Sequence, residues 1–398
     1  MVAPMRGTSA PSQSAATAVV DAARGFIDGI RARADQIERD RRLPPELIEA
    51  IAEAGLFRMC VPRALGGGEV DVVTMLRAIE AFAEADGSAG WCLMIGATSG
   101  LLSAYLPEPA AREIYAAPHT VTGGVFAPLG TAVSVLGGYR VTGRWAFASG
   151  CEHCAWLMGG AVVLDDGTPR LLPSGAPDSR FMLFPAKDVE IIDTWTVSGL
   201  RGTGSHDMAV HDVFVPEARS VSLLSDRPRH HSPLYALPVF GVLALGIAAV
   251  ALGIARNAIA ALSQVAVNKT PSGSRRRLAE RATVQAQVAQ AEASLRSARA
   301  WLFDTVAETW VAACTDGAMT IAQRGLLRLA ATHATTTCAA VVDLMYNAGG
   351  GTSVYASSPL QRCFRDVHVV TQHMMVSPAT LELTGRLFLG LDTDASML

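Results

Sequence analysis

The chain has 398 residues, half of them hydrophobic and only 17% charged, which is enough for a large buried core and for two or three packed units. Its net charge of −3, with no basic run longer than Arg275–Arg276–Arg277, excludes an electrostatic footprint for nucleic acid. Seven cysteines spread thinly, behind a first stretch that has no secretory pattern, fit reduced thiols in the cytoplasm.

Residues 1–20 are rich in Ala, Ser and Pro without an apolar run, which predicts a loose tail. From 21 to 120 the pattern is helical. Ile30, Ala34 and Ile37 share a face, and Leu47, Ile48, Ile51 and Leu56 follow Pro44–Pro45. A further helix from Thr74 to Asp86 ends at Asp86–Gly87–Ser88, just before Trp91.

Between 121 and 225 the period changes to two. Thr131 to Leu136, Tyr139 to Ser149, Trp156 to Leu164, Phe181 to Phe184 and Ala209 to Val215 read as strands. Gly137–Gly138 and Asp165–Asp166–Gly167 sit between them as hairpin turns. This predicts a small β-barrel or sandwich inserted between helical regions.

From 226 to 398 the chain is helical again, in runs Val239–Val267, Arg277–Cys314, Met319–Asn347 and Leu360–Leu389, which predict an up-and-down four-helix bundle. The uncharged stretch from Leu237 to Ala255 approaches the ~20 residues of a membrane span. It contains Pro238, Gly241, Gly246 and Gly253 and has no companion span, which favours a helix packed between other helices, with no membrane partner. The fold class is therefore mainly α with an inserted β-domain: a tail, an N-terminal helical domain, a central β-barrel and a C-terminal four-helix bundle.

Three motifs stand in order within that plan. Gly143-Arg-Trp-Ala-Phe-Ala-Ser-Gly150 lies on a strand. Gly199-Leu-Arg-Gly-Thr-Gly-Ser205 precedes Val213-Phe-Val-Pro216, and Phe364-Arg-Asp366 follows Gly349–Gly350–Gly351. With these motifs the chain resembles the acyl-CoA dehydrogenase family from roughly Ile27 to Gly390. That family takes its base from a glutamate just after the Arg-Asp segment or from the first bundle helix. Here the first place reads Gln372-His-Met-Met-Val376, with Met374 at the base position beside His373, and no Asp or Glu occurs between Asp226 and Glu280.

Arg365-Asp-Val-His-Val-Val-Thr-Gln-His373 resembles instead the two-component flavin-dependent monooxygenases, which keep the dehydrogenase fold. That resemblance implies reduced FAD or FMN, delivered by a separate NAD(P)H-dependent flavin reductase, with O2 as co-substrate. A C4a-hydroperoxyflavin then hydroxylates a small phenol- or indole-like aromatic, in a cytoplasmic homotetramer. Hydroxylation of an amino nitrogen is a variant of this chemistry. The alternative is a dehydrogenase or oxidase acting on an unusual thioester with His373 as base.

The resemblance also implies site residues. His373 faces substrate as a base or a proton relay. Ser149 takes the position of a hydroxyl that bonds flavin N5, and Phe147 stands beside the ring. Trp91, Trp145 and Met374 line the substrate pocket; relatives carry a histidine a few residues after Trp91, where this chain has Thr98. Backbone amides of the loop from Phe126 to Ala132 meet the flavin pyrimidine, and Arg201 and Ser205 meet phosphate. Arg275 to Arg277, with Gly350 and Gly351, reach the adenine half of a neighbouring subunit's FAD. Cys151-Glu-His-Cys154 is half a zinc site without its second half and reads as structural thiols. His206 and His211 alternate along a strand edge and read as surface residues.

Overall fold

Residues 13–395 and Leu398 are described by the computed structural model. Residues 1–12 of the expected tail lie outside the described residues. The rest of it is a correction, because α1 (Gln13–Gly25) is a helix that buries Val20 and Ala23. It is followed by α2 (Ile27–Asp40), α3 (Pro45–Glu53), α4 (Val72–Ala85), α5 (Gly87–Ser99) and α6 (Glu108–Tyr115). The face of α2 that carries Ile30, Ala34 and Ile37 is the buried one. Asp86 both stops α4 and starts α5: its backbone is extended, and its carboxylate accepts from Ala89 N at 3.0 Å. The helix so started is buried almost all round, and Gly90 is required where α5 meets Ala83 of α4, leaving no room for a Cβ.

The middle of the chain forms one eight-stranded sheet: β1 (Thr122–Val135), β2 (Gly138–Ala148), β3 (Trp156–Asp165), β4 (Thr168–Pro169), β5 (Ser179–Pro185), β6 (Glu190–Ile192), β7 (His206–Pro216) and β8 (Ser220–Val221). Their order is β6-β7-β2-β1-β3-β5-β8, with β4 beside β3. The expected β-barrel or sandwich is this sheet, whose ends β6 and β8 are short enough to offer little template for further pairing. Two irregularities matter for the site. The β1–β3 register shifts between Val125 and Pro128, bulging Phe126 and Ala127 out of the ladder. The β2–β7 register shifts between Trp145 and Ala148, and Phe147 there takes φ +67.

The C-terminal region holds α7 (Pro233–Ala236), α8 (Val239–Asn268), α9 (Ala282–Asp316), α10 (Ile321–Gly349), α11 (Pro359–Val370) and α12 (Ala379–Phe388). Helix α8, which carries no charge before Arg256, is the centre of the molecule, its most apolar stretch 89% buried. Gly253 lets it lie directly on the α4 backbone at Glu80 and Glu84. The fourth bundle helix, expected to run unbroken to Leu389, is two helices. Pro378 disfavours helical geometry at Ser377, which is extended, and His373 has already left the helix, its Nδ1 accepting from Met375 N at 3.2 Å.

All three regions meet at the turn from Gly199 to Ser205. Leu200 N donates to Asp366 Oδ1 of α11 at 2.6 Å, and Gly202 N donates to Ser88 Oγ of α5 at 3.1 Å. Gly199 faces the Arg365 carbonyl with no space for a side chain. Arg365 bonds the Ser198 carbonyl and, with Arg362, grips Glu38 of α2. Burial disfavours the Glu38 charge, but its bonds to Arg362 and Arg365 outweigh this and hold its pKa below the ordinary value.

Burial and the nearby charge of Asp86 push Asp366 up to about 7, while the Leu200 amide pulls the other way. A carboxyl whose folded pKa is raised stabilises the fold fully below its unfolded pKa near 4 and loses that contribution as the pH rises toward 7. Asp366→Asn keeps the acceptor for Leu200 N and removes the charge. Relative to wild type, this variant is expected to gain on the order of 1–3 kcal/mol between pH 4.5 and pH 8. Urea unfolding at both pH values measures it, and a pH-independent difference rejects a raised Asp366 pKa.

Candidate active site

The residue carrying the site is Trp91, on the second turn of α5. Its Nε1–H donates to Ser149 Oγ at 2.9 Å, and its ring lies 5.7 Å from the His373 ring, tilted by 55°. One indole thus joins the end of β2 to the break between α11 and α12. Ser149 is buried and bonds Ser205 Oγ at 2.7 Å, and Ser205 bonds Thr203 Oγ1 at 2.6 Å. Thr203 Oγ1 donates to the Leu200 carbonyl at 2.8 Å, which also receives Trp195 Nε1 at 3.1 Å. Gly150 N donates to Thr203 O at 2.8 Å, holding the two hydroxyl-bearing segments in register.

Burial, aided by the positive charge of Arg328, pushes the His373 imidazole down to about 4, so the ring is neutral at pH 7. Because Nδ1 accepts from Met375 N, the neutral ring carries its proton on Nε2. This tautomer offers Nε2–H as a hydrogen-bond donor, while the Nδ1 lone pair is engaged by the Met375 amide. Met374 beside it is 61% exposed and offers an apolar, polarisable surface.

Around this centre stand groups that fit an aromatic, phosphate-bearing cofactor. The Phe147 ring is 69% exposed, held edge-on by Trp195 at 6.1 Å, on a backbone that only a bulge makes tolerable. Arg201 is half-buried, and its Nε has no partner among the described residues, so it has a donor to spare for an anion. Phe126 and Ala127 are half-exposed at their bulge, although the Phe126 ring itself is occupied, edge-on to Phe181 at 4.8 Å and to Phe240 at 6.1 Å.

Other expectations are corrected. Trp145 is fully buried, not pocket-lining: its Nε1 donates to Gly160 O at 2.8 Å. Its ring fills the space left by Gly130, Gly143 and Gly159. Ser205 is buried with its hydroxyl turned to Ser149 and Thr203, so it supports the site instead of meeting phosphate. His206 is buried, its Nδ1 accepting from Thr194 N at 3.2 Å, whereas His211 is exposed.

Arg275, Arg277, Gly350 and Gly351 are exposed and lie at one end of the bundle, where Lys269 Nζ donates to Gly349 O at 2.8 Å. At 1.5 Å per residue this end of α8 is about 22 Å from Ile254, which lies beside Gly87 at the Asp366 junction, so these residues stand apart from that junction. Sequence reasoning missed Thr203, Trp195 and Asp366. Thr203 was visible as a hydroxyl two residues from Ser205, and Asp366 as part of the quoted motif; Trp195 left no signal.

Comparison with known proteins agrees with this arrangement. Residues 13–113 match the acyl-CoA dehydrogenase N-terminal domain, and residues 245–378 match the acyl-CoA dehydrogenase C-terminal domain. The chain is 34% identical to indole-3-acetate monooxygenase of Pseudomonas putida, over 92% of each chain. It is 31% identical to the oxygenase component of the FADH2-dependent resorcinol hydroxylase of a Rhizobium species, over 92% of this chain and 93% of that one. Among solved structures, XiaF from a Streptomyces species in complex with FADH2 and glycerol superposes with a TM-score of 0.87 at 28% identity, covering 96% of this chain and 97% of that one.

Separating sheet core from site predicts different fates for two tryptophans. Trp145→Phe is expected to lower stability by about 2 kcal/mol through the lost bond and unfilled volume, and to leave flavin affinity within about twofold. Denaturant unfolding and flavin titration of the one variant check both numbers; a selective loss of flavin or substrate binding returns Trp145 to the pocket.

Proposed function

The chain belongs to the flavin-dependent monooxygenases of acyl-CoA dehydrogenase fold, and from that membership we propose that it hydroxylates a small phenol- or indole-like aromatic. Reduced flavin, when bound, supplies the electrons with which O2 is split between substrate and water. A separate reductase supplies that flavin. FAD is the form favoured, in keeping with the FADH2 named for two relatives.

The observation that carries the residue assignment is the triple contact at Trp91, which holds a buried hydroxyl on one side and a neutral imidazole on the other. On this reading Ser149 meets the N5 edge of the flavin and Phe147 covers its ring. His373 directs its Nε2–H toward the space where oxygen and substrate meet, and donates a hydrogen bond to the departing oxygen. Trp91 and Met374 border the aromatic substrate. The Phe126 bulge presents backbone amides to the pyrimidine, and Arg201 takes the phosphate. Arg275, Arg277, Gly350 and Gly351 belong to the proposal as contacts to a flavin held mainly by another protomer, within a homotetramer. Their exposure, about 22 Å along α8 from the junction, supports that reading.

Dehydrogenation of a thioester is disfavoured by the same geometry. No carboxylate lies anywhere along α8, and the residue at the other base position is Met374.

Stopped-flow mixing of the protein, loaded anaerobically with reduced FAD, with oxygenated buffer is expected to give a near-ultraviolet transient before oxidised flavin appears. Reduction of bound oxidised flavin by an acyl-CoA thioester alone would overturn the monooxygenase reading. His373→Ala is expected to keep flavin affinity within about threefold and to cut product formed per flavin oxidised on the order of 100-fold. Because His373 is neutral until the pH falls toward 4, the wild-type product yield is expected to be level from pH 6 to 8. A yield that follows an ionisation near 6.5, and loses it with His373→Ala, rejects the donor assignment.

A further inference from the structure

The hydroxyl chain behind the site has a fixed direction. At one end the Leu200 carbonyl can only accept, so the single Thr203 hydroxyl proton points to it. Thr203 must then accept from Ser205, which uses the Ser205 proton, and Ser205 must accept from Ser149, which uses the Ser149 proton. At the other end Trp91 Nε1–H can only donate, and Ser149 Oγ receives it. The carbonyl end imposes the order and the indole end is compatible with it: Trp91 N–H to Ser149, Ser149 to Ser205, Ser205 to Thr203, Thr203 to Leu200 O. Ser149, Thr203 and Ser205 are all buried, so solvent offers no alternative partner that would reverse it.

Ser149 Oγ is left with one unused position, and that position is a lone pair. Resting on the reading that Ser149 meets flavin N5, we infer that this chain makes the site selective for the reduced cofactor, with Thr203 and Ser205 as the positioning residues. Reduced flavin carries a proton on N5 and donates into the lone pair. Oxidised flavin presents a bare nitrogen, so two acceptors face each other unless the Ser149–Ser205 bond is broken. Gaining one buried hydrogen bond against leaving one acceptor unpaired corresponds to a preference of about 10- to 100-fold. A two-component oxygenase gains by this: it draws reduced flavin from a separate reductase and releases the oxidised form.

Thr203→Val removes the acceptor of the Ser205 proton while the Leu200 carbonyl keeps Trp195 Nε1 and Thr203 N as donors. Ser205 is then free to turn its proton to Ser149, which releases the Ser149 proton toward N5. Ser205→Ala breaks the chain one step earlier and covers the case of a poorly folded Thr203→Val. Thr203→Ser restores the hydroxyl.

The experiment is equilibrium binding of oxidised FAD in air and of reduced FAD under nitrogen to wild type and each variant. Wild type and Thr203→Ser are expected to bind reduced FAD at least tenfold more tightly than oxidised FAD. Thr203→Val and Ser205→Ala are expected to bring the ratio to within about threefold of unity, chiefly by tighter binding of oxidised FAD. A merely structural role for Thr203 weakens both forms together and leaves the ratio at its wild-type value; that result overturns the inference. Ser149→Ala separates the two claims. If it shifts the ratio while Thr203→Val and Ser205→Ala do not, the N5 contact stands and the directional chain falls. If it changes the affinity of neither form, the N5 contact falls and the inference with it.

Discussion

The bond from Leu200 N to Asp366 Oδ1 is the constraint on which the rest of the site depends. It is short, fully buried, and made between the β-domain and the last part of the bundle; a bond to a carboxyl of this kind is worth roughly 1.5–3 kcal/mol. Leu200 sits at φ +49, a conformation a branched side chain adopts only when its surroundings enforce it. Asp366 holds the amide, Trp195 and Thr203 hold the carbonyl, and the peptide is fixed at both ends. Thr203 and Ser205 then follow at fixed positions. Without that clamp there is no reason for three small hydroxyls to line up behind Ser149.

The same junction explains why a charge-poor protein keeps Glu38, Arg362, Arg365, Asp86 and Asp366 so close together. Helix α2 contributes Glu38, α5 begins at Asp86, and α11 supplies the rest. Buried charged groups contribute little net stability compared with apolar packing, but each has few geometries in which it is satisfied. At this place they fix the angle between three regions whose apolar faces alone would allow sliding. The cost is visible at Asp366, whose carboxyl is pushed to about 7 by burial and by Asp86.

Much of this was legible in the residues. The change from helical period to period two, the Gly-rich turns and the uncharged stretch from Leu237 to Ala255 placed the three regions, and the motifs from Gly143 and Gly199 carry Ser149 and Ser205, which bond each other. The errors have physical causes. Trp145 and Phe147 alternate on one strand and looked equivalent. The bulge after Trp145 breaks that alternation, so one ring fills a pocket of glycines and the other is exposed. The break at His373 follows from a side chain bonding to its own backbone two residues on, which hydrophobic periodicity does not register. The strands at the two ends of the sheet, β6 and β8, have three and two residues, too few to leave a pattern.

Replacing a carboxylate by an imidazole at this break changes the chemistry through burial more than through identity. In water an imidazole with a pKa near 6.5 is both acid and base at neutral pH. Here burial and the charge of Arg328 hold it near 4, and the Met375 amide occupies its only lone pair, so what remains is a neutral N–H donor. Such a group neither removes an α-proton nor repels a bound anionic flavin by bringing a second negative charge, as a glutamate would. Across Trp91, Ser149 is left with a lone pair only, as the donor-only indole and the acceptor-only carbonyl at the ends of its chain dictate. The two groups on either side of one indole are therefore complementary in hydrogen bonding, and on the proposed reading the acceptor meets the proton of the cofactor while the donor meets oxygen.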